Sequence, residues 1–153
     1  MLDEMDKVLT PLKDKINEQE YNVHELLTIA SIAEKEALNK SDREKVSQVI
    51  YTRLDMGMTL GMDVTTYYGV FKDMTDNLTP QDLAAFNPYN TRNSSFKGLP
   101  AGAICSPSKE SIVAALNPSD TDYVYFIADV KTGKVYFAVT PKEFYELKDK
   151  YID

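Results

Sequence analysis

Leu26-Leu27-Thr28-Ile29-Ala30-Ser31-Ile32-Ala33-Glu34-Lys35-Glu36-Ala37 is the stretch around which this chain is organised. Small and apolar residues recur at Leu26, Ile29, Ala30, Ala33 and Ala37, the spacing of a helix with one burying face. Glu36 lies three and four residues past Ala33 and Ile32, and seven past Ile29. At about 3.6 residues per turn these positions share a face, so Glu36 projects from the apolar side. Glu34 falls on the opposite side and is expected to meet water. A carboxylate on a burying face costs free energy unless it is paired, protonated or used in chemistry. Burial raises its pKa toward what a general acid needs near neutral pH. The structural alternative is a carboxylate neutralised by a nearby Arg or backbone N–H.

The chain has 153 residues, enough for one domain with a real core. Its hydrophobic fraction of 43% and charged fraction of 27% are those of a globular protein. A formal net charge of −7 argues against nucleic acid as a partner and against attraction to anionic lipid. The single cysteine, Cys105, excludes an internal disulfide. The single histidine, His24, excludes a multi-histidine metal site. Any Ser–His or Cys–His relay would have to run through His24, which sits where the main helix begins and reads more simply as a polar first-turn residue. No run reaches the roughly 18 apolar residues of a membrane span.

Taken in order, residues 2–19 place Leu2, Met5, Leu9, Leu12 and Ile16 at helical spacing, interrupted at Pro11. The main helix is expected from Asn22 to Asn39. Ser41-Asp42-Arg43-Glu44 has the pattern of a capping box. It predicts a third helix from Asp42 to about Met56, with a stripe of Val46, Val49, Ile50 and Leu54 and a stop at Gly57. Arg53 lies at the edge of that stripe, placed to pair with Glu36, with Asp63 or with neither. Residues 58–69 are rich in β-branched and aromatic residues, which suggests a short strand and then a turn or helical stretch. Asp63 there reads as a helix cap or a site residue.

Thr79-Pro80 starts a short helix ending near Phe86. Asn87-Pro88-Tyr89-Asn90-Thr91-Arg92-Asn93-Ser94-Ser95 and Gly98-Leu99-Pro100-Ala101-Gly102-Ala103-Ile104 then form a long irregular segment with turn chemistry. Ser106-Pro107-Ser108 opens another helix, ended by Asn117-Pro118. Residues 123–128 and 135–139 are the clearest strands, joined as a hairpin through Asp129–Lys134. Thr140-Pro141 begins a last helix with Phe144, Leu147 and Tyr151 inward. The fold class is α+β, with helices packed around a small antiparallel sheet and Glu36 on a central helix. No phosphate-binding loop, dinucleotide fingerprint or nucleophile elbow is present in the sequence.

From Leu27 onward the chain resembles the catalytic domain of the endolytic murein transglycosylase (YceG-like) family. The matching pieces are Ala30-Ser31-Ile32-Ala33-Glu34-Lys35-Glu36, Glu44-Lys45-Val46, Arg53-Leu54, Gly57-Met58, Leu60, Asp63, Thr65 and Tyr68-Gly69. Tyr89-Asn90-Thr91, Gly98-Leu99-Pro100, Gly102-Ala103-Ile104, Ser106-Pro107, Ala114-Ala115, Asn117-Pro118 and Tyr125-Phe126 complete the set. The ordered set is specific where no single piece is. Two positions depart from the family pattern: Gly61 stands where Gln is usual, and Phe144 where His often follows Glu143.

The resemblance implies that Glu36 is the catalytic acid, the residue that the helical-face argument selects independently. It implies non-hydrolytic cleavage of the β-1,4 bond between N-acetylmuramic acid and N-acetylglucosamine within peptidoglycan strands, leaving 1,6-anhydro ends, with no metal or organic cofactor. Asp63, Tyr89, Asn90 and Thr91 are the candidates for the wall of the glycan groove, with Leu99, Pro100 and Gly102 in the loop that shapes it. Residues 22–153 would be the catalytic domain and residues 1–21 a lead-in helix or linker remnant. The resemblance further implies partners among peptidoglycan glycan strands and cell-wall synthases. It implies work on the outer face of the bacterial cell membrane, through an N-terminal anchor that this chain lacks. The alternative is a non-catalytic glycan-binding or scaffold domain. A pyridoxal-phosphate lyase, a label also attached to this family, fits poorly because no phosphate-cradling loop with a partnered lysine is seen.

Overall fold

The computed structural model describes residues 2–152; the side chain of Leu2, first in the expected lead-in stripe, lies outside the described residues. The lead-in is α1 (Leu2–Leu9), a 3-10 turn (Thr10–Leu12) at Pro11, and α2 (Lys13–Asn17). Pro11 cannot donate to a carbonyl one turn back, and the helix breaks there. The segment is not loosely appended: Ile16 is buried in the core, and Met5, Val8, Leu9 and Leu12 pack against it.

The centre is all helical. α3 (Val23–Glu36), α4 (Lys40–Asp55) and α7 (Lys109–Leu116) pack on one another. Leu26, Ile29, Ile32, Val46, Ile50 and Ile112 fill the space between them and are fully buried. Each such side chain contributes roughly 1.5–3 kcal/mol of transfer free energy. Asn22 caps α3 through a reciprocal box with Glu25. α3 stops earlier than its periodicity predicts, because Ala37 adopts extended backbone (φ −138°, ψ 150°). Glu36 is therefore the last residue of the helix.

The cap of α4 also differs from expectation. Asn39, not Ser41, receives the Asp42 N–H (2.9 Å), and its own amide donates to the Asp42 carboxylate (2.8 Å). Ser41 lies inside the first turn. Asn and Ser are equally good caps, so the short linker from Glu36 decides which residue is used.

The strand expected within residues 58–69 does not form. Met58–Met62 is irregular and α5 (Asp63–Gly69) follows. The Gly61 N–H donates to Thr91 O and the Met62 N–H to Thr91 Oγ1, so these amides meet a turn rather than a neighbouring strand. α6 (Pro80–Ala84) has its capping box at Thr79 and Asp82. β1 (Tyr125–Ala128) and β2 (Val135–Ala138) pair antiparallel, with Tyr125 opposite Ala138 and Ala128 opposite Val135. α8 (Pro141–Tyr151) packs on this hairpin, which lies beside α4 rather than at the middle of the molecule. No described helix is long and apolar enough to cross a membrane.

Candidate active site

The C-terminal end of α3 carries the one carboxyl among the described residues that is pushed far upward. Glu36 is half-buried and makes no hydrogen bond or ion pair with any described residue. Loss of hydration raises its pKa to about 7; the charge of Asp63 adds to that rise and the charge of Arg92 opposes it. The helix itself works in the same direction, since its free carbonyls concentrate partial negative charge at that end. Protein surrounds the carboxyl closely enough to strip water from it, yet an opening to solvent remains. Such a group can hold a proton at neutral pH and still deliver it.

Glu34 behaves differently, and not as its face predicts. It is only partly exposed: Ser108 Oγ donates to its Oε2 (2.8 Å), Ser111 Oγ donates to the same oxygen, and Arg43 Nη2 lies 3.5 Å away. Burial pushes its carboxyl up, but the Ser111 and Ser108 bonds and the Arg43 charge outweigh it and hold the pKa below the usual range. The periodicity of one helix shows its own bare side, but not that α7 covers it. Glu34 thus fastens α3 to α4 and α7, while Glu36 is left free.

Asp63 is the first residue of α5, and its side chain does not cap that helix. It accepts from Arg92 instead: Nε donates to Oδ1 at 2.8 Å, and Nη2 lies 2.8 Å from the same oxygen. Both members are about half exposed. Arg92 thereby joins the candidate site, although the sequence alone did not single it out. Its signal was present, since it is the only cation in the polar run Asn87–Ser95.

Asn90 and Thr91 set this pair in place. Thr91 Oγ1 lies 2.7 Å from Thr65 Oγ1, and Thr66 Oγ1 donates to Asn90 Oδ1 (2.8 Å). Asn90 Nδ2 donates to the carbonyls of Leu83 (3.0 Å) and Ala85 (2.8 Å), and Asn90 Oδ1 also accepts from the Arg92 N–H (3.1 Å). Both residues are buried, and their polar groups are engaged within the protein. They lock the start of α5 to the turn that carries Arg92.

Arg53 pairs with neither candidate carboxylate. Its guanidinium donates to the carbonyls of Val124 (2.7 Å) and Leu60 (2.6 Å) and lies over the Tyr125 ring. It ties α4 to the hairpin and to the segment before α5. Gly61 sits beside it with φ +61°, a left-handed conformation that disfavours any side chain. A Cβ there would lie 3.4 Å from Arg53 Nη1 and 3.8 Å from Arg92 Nη1.

The 98–105 loop is held against α3 from two points. His24 Nε2 bonds to Ala101 O (2.9 Å), and the Ile104 N–H donates to buried Ser31 Oγ (3.0 Å). This bond to a loop carbonyl is what the chain's only histidine makes in the structure. Gly102 is buried where a Cβ would meet His24 Cε1 at 3.3 Å and Tyr89 Oη at 3.6 Å. Tyr89 is half-buried against the Tyr68 ring, Leu99 packs on the core, and Pro100 is buried. No cluster of residues suited to holding a metal occurs among those described.

A model of the YceG-like family matches residues 1–150. The chain is 38% identical over 152 residues to a Bacillus subtilis (strain 168) protein named endolytic murein transglycosylase, covering 99% of this chain and 41% of that protein. It is 37% identical over 142 residues to a protein of the same name from Streptococcus pneumoniae serotype 2, covering 90% of this chain and 25% of that protein. A yceG-like protein of Listeria monocytogenes, known from its crystal structure, superposes with a TM-score of 0.88 at 39% identity, over 97% of this chain and 47% of that one. The chain thus spans less than half the length of each of these relatives.

Proposed function

This chain belongs to the YceG-like family, and we propose that it is the catalytic part of an endolytic lytic transglycosylase that cuts peptidoglycan strands at the β-1,4 bond between N-acetylmuramic acid and N-acetylglucosamine. The observation that carries the proposal is Glu36: a solvent-reachable carboxyl with no partner among the described residues, raised to about 7.

Protonated Glu36 donates to the glycosidic oxygen as the muramyl C1–O bond breaks. Positive charge develops at C1 of the muramyl ring. The ionised carboxylate then removes the proton from the muramyl 6-hydroxyl as that oxygen closes on C1. Glu36 ends protonated, as it began, and no water is consumed. A single carboxyl serves both steps, whereas a hydrolase usually needs two. Asp63, paired with Arg92, helps to raise the pKa of the resting Glu36 and lies where its charge stabilises positive charge nearby. Tyr89, with the loop through Leu99, Pro100 and Gly102, supplies the groove wall; Asn90 and Thr91 act on substrate only through the residues they position.

Residues 22–153 carry this chemistry in the proposal, and residues 1–21 are the lead-in, whose Met5, Val8, Leu9, Leu12 and Ile16 brace the core. Peptidoglycan lies outside the cytoplasm, so the proposed place of work is the outer face of the cell membrane, with cell-wall synthases as neighbours. A binding-only domain would have no use for a desolvated, unpaired carboxyl.

The test is mass spectrometry of products from uncrosslinked peptidoglycan strands, with Glu36→Gln beside the wild type. Fragments ending in 1,6-anhydromuramic acid, absent with the variant, are expected. Fragments one water heavier would mean hydrolysis, with Asp63 the first candidate for a second catalytic carboxyl.

A further inference from the structure

Arg92 is only half used by the fold. Its Nε and Nη2 both serve one oxygen of Asp63, and Nη1, on the other edge of the guanidinium, has no partner among the described residues. Gly61 offers no side chain to cover that nitrogen, though one there would lie 3.8 Å away. Arg92 also lines an open groove of about 420 Å³, whose other walls are Pro80, Leu83, Ala84, Asn93 and Ser94. That volume lies within the range of small-ligand sites. The apolar wall comes from α6; the Asn93 carboxamide is spent on the carbonyls of Ala84 and Ala85 and on the Ser95 N–H, so it braces the groove. A cation on an apolar wall suits a small acyl or peptide chain that carries a carboxylate. Among the described residues Asp63 is the only carboxylate on this guanidinium, and it occupies the opposite edge. The charge of Arg92 also acts on the Glu36 carboxyl, which links the guanidinium lining this groove to the proposed cleavage centre.

We propose that this groove between α6 and the 92–94 turn binds the peptide stem of the muramyl unit, with the Arg92 guanidinium on a stem carboxylate. The inference rests on the transglycosylase reading for its ligand, but its test needs no cleavage. A chain hanging from the sugar beside Glu36 would then set the register of the strand. Strands stripped of peptide would be poorer substrates than intact ones.

The experiment is amide NMR of Glu36→Gln titrated with N-acetylmuramyl-alanylglutamate and, separately, with its diamide. Saturable shifts centred on Leu83, Ala84, Asn93 and Ser94 are expected, with affinity about tenfold lower for the diamide, as loss of a charge-assisted hydrogen bond implies. Arg92→Gln should weaken the acid to the level of the diamide. Ala84→Phe, which fills the groove and leaves the Asp63–Arg92 pair intact, should weaken both ligands. Shifts elsewhere, equal binding of acid and diamide, or none at millimolar ligand would overturn the proposal. Equal kcat/KM on intact and stripped strands, with anhydro products from both, would remove the stem groove and leave the activity standing. Peptide bound in the groove by a protein that yields no anhydro ends would remove the activity and leave the groove.

Discussion

At the scale of the residue, the contrast between Glu34 and Glu36 carries the argument. They sit two positions apart on one helix, yet one is held low by two serines and an arginine and the other is driven to about 7. The raised pKa has a cost in stability with a definite sign. The unfolded carboxyl titrates near 4.5 and the folded one near 7. Between those values the folded protein binds more protons than the unfolded chain, so stability falls as pH rises through that window and stays lower above it. The full shift corresponds to at most about 3 kcal/mol. Glu36→Gln removes the ionisation, so the variant should melt higher than wild type at pH 8 and about equally at pH 4.5. Identical melting differences at both pH values would contradict the desolvated carboxyl. Asp63→Asn deletes the charge that helps to raise Glu36 and leaves the opposing Arg92 in place. The alkaline limb of its pH–rate profile should move to lower pH, because the acid loses its proton sooner.

At the scale of the element, the site exists because a turn and a helix start are locked together. Asn90 fills four hydrogen-bonding directions at once, so Asn90→Ala strands the Thr66 hydroxyl and the Arg92 N–H as well as opening a void. Losses of roughly 3 kcal/mol or more are expected in urea unfolding, given about 1–3 kcal/mol for each buried group left unmade. The sequence showed the type of most elements, since α3, α4, α7, α8 and the hairpin announce themselves by period and caps. It also exposed Glu36, because a charged residue in an apolar stripe stands out. What it hid depends on contacts between distant segments. The Thr91 turn takes the amides that a strand at residues 58–62 would need, and α7 covers the side of α3 that carries Glu34. Arg92 acquires meaning only through Asp63, far away in the chain. Asn90 and Thr91 looked like polar loop residues free for substrate, but burial turns them inward.

At the scale of the whole molecule, a helical trio provides the rigid body, and its irregular segments are pinned to it. α3 alone supplies Glu36, the Ser31 and His24 anchors of the 98–105 loop, and the Glu34 fastening to α4 and α7. The lead-in belongs to the same body. Ile16→Ala should cost about 2–4 kcal/mol in urea unfolding, the range for a large aliphatic removed from a core. No change would mean that residues 1–21 are merely attached. A rigid scaffold that leaves Glu36 unfastened at the end of α3 is the arrangement that the proposed chemistry requires.

The central claim is that Glu36 stands protonated near neutral pH. Carbon-13 NMR of the side-chain carboxyls, titrated with pH and assigned by comparison with Glu36→Gln, measures this directly. One glutamate with a midpoint near 7, missing from the variant, is the predicted result. If every glutamate titrates below about 5, within the ordinary carboxylate range, Glu36 is not the poised acid and the account fails.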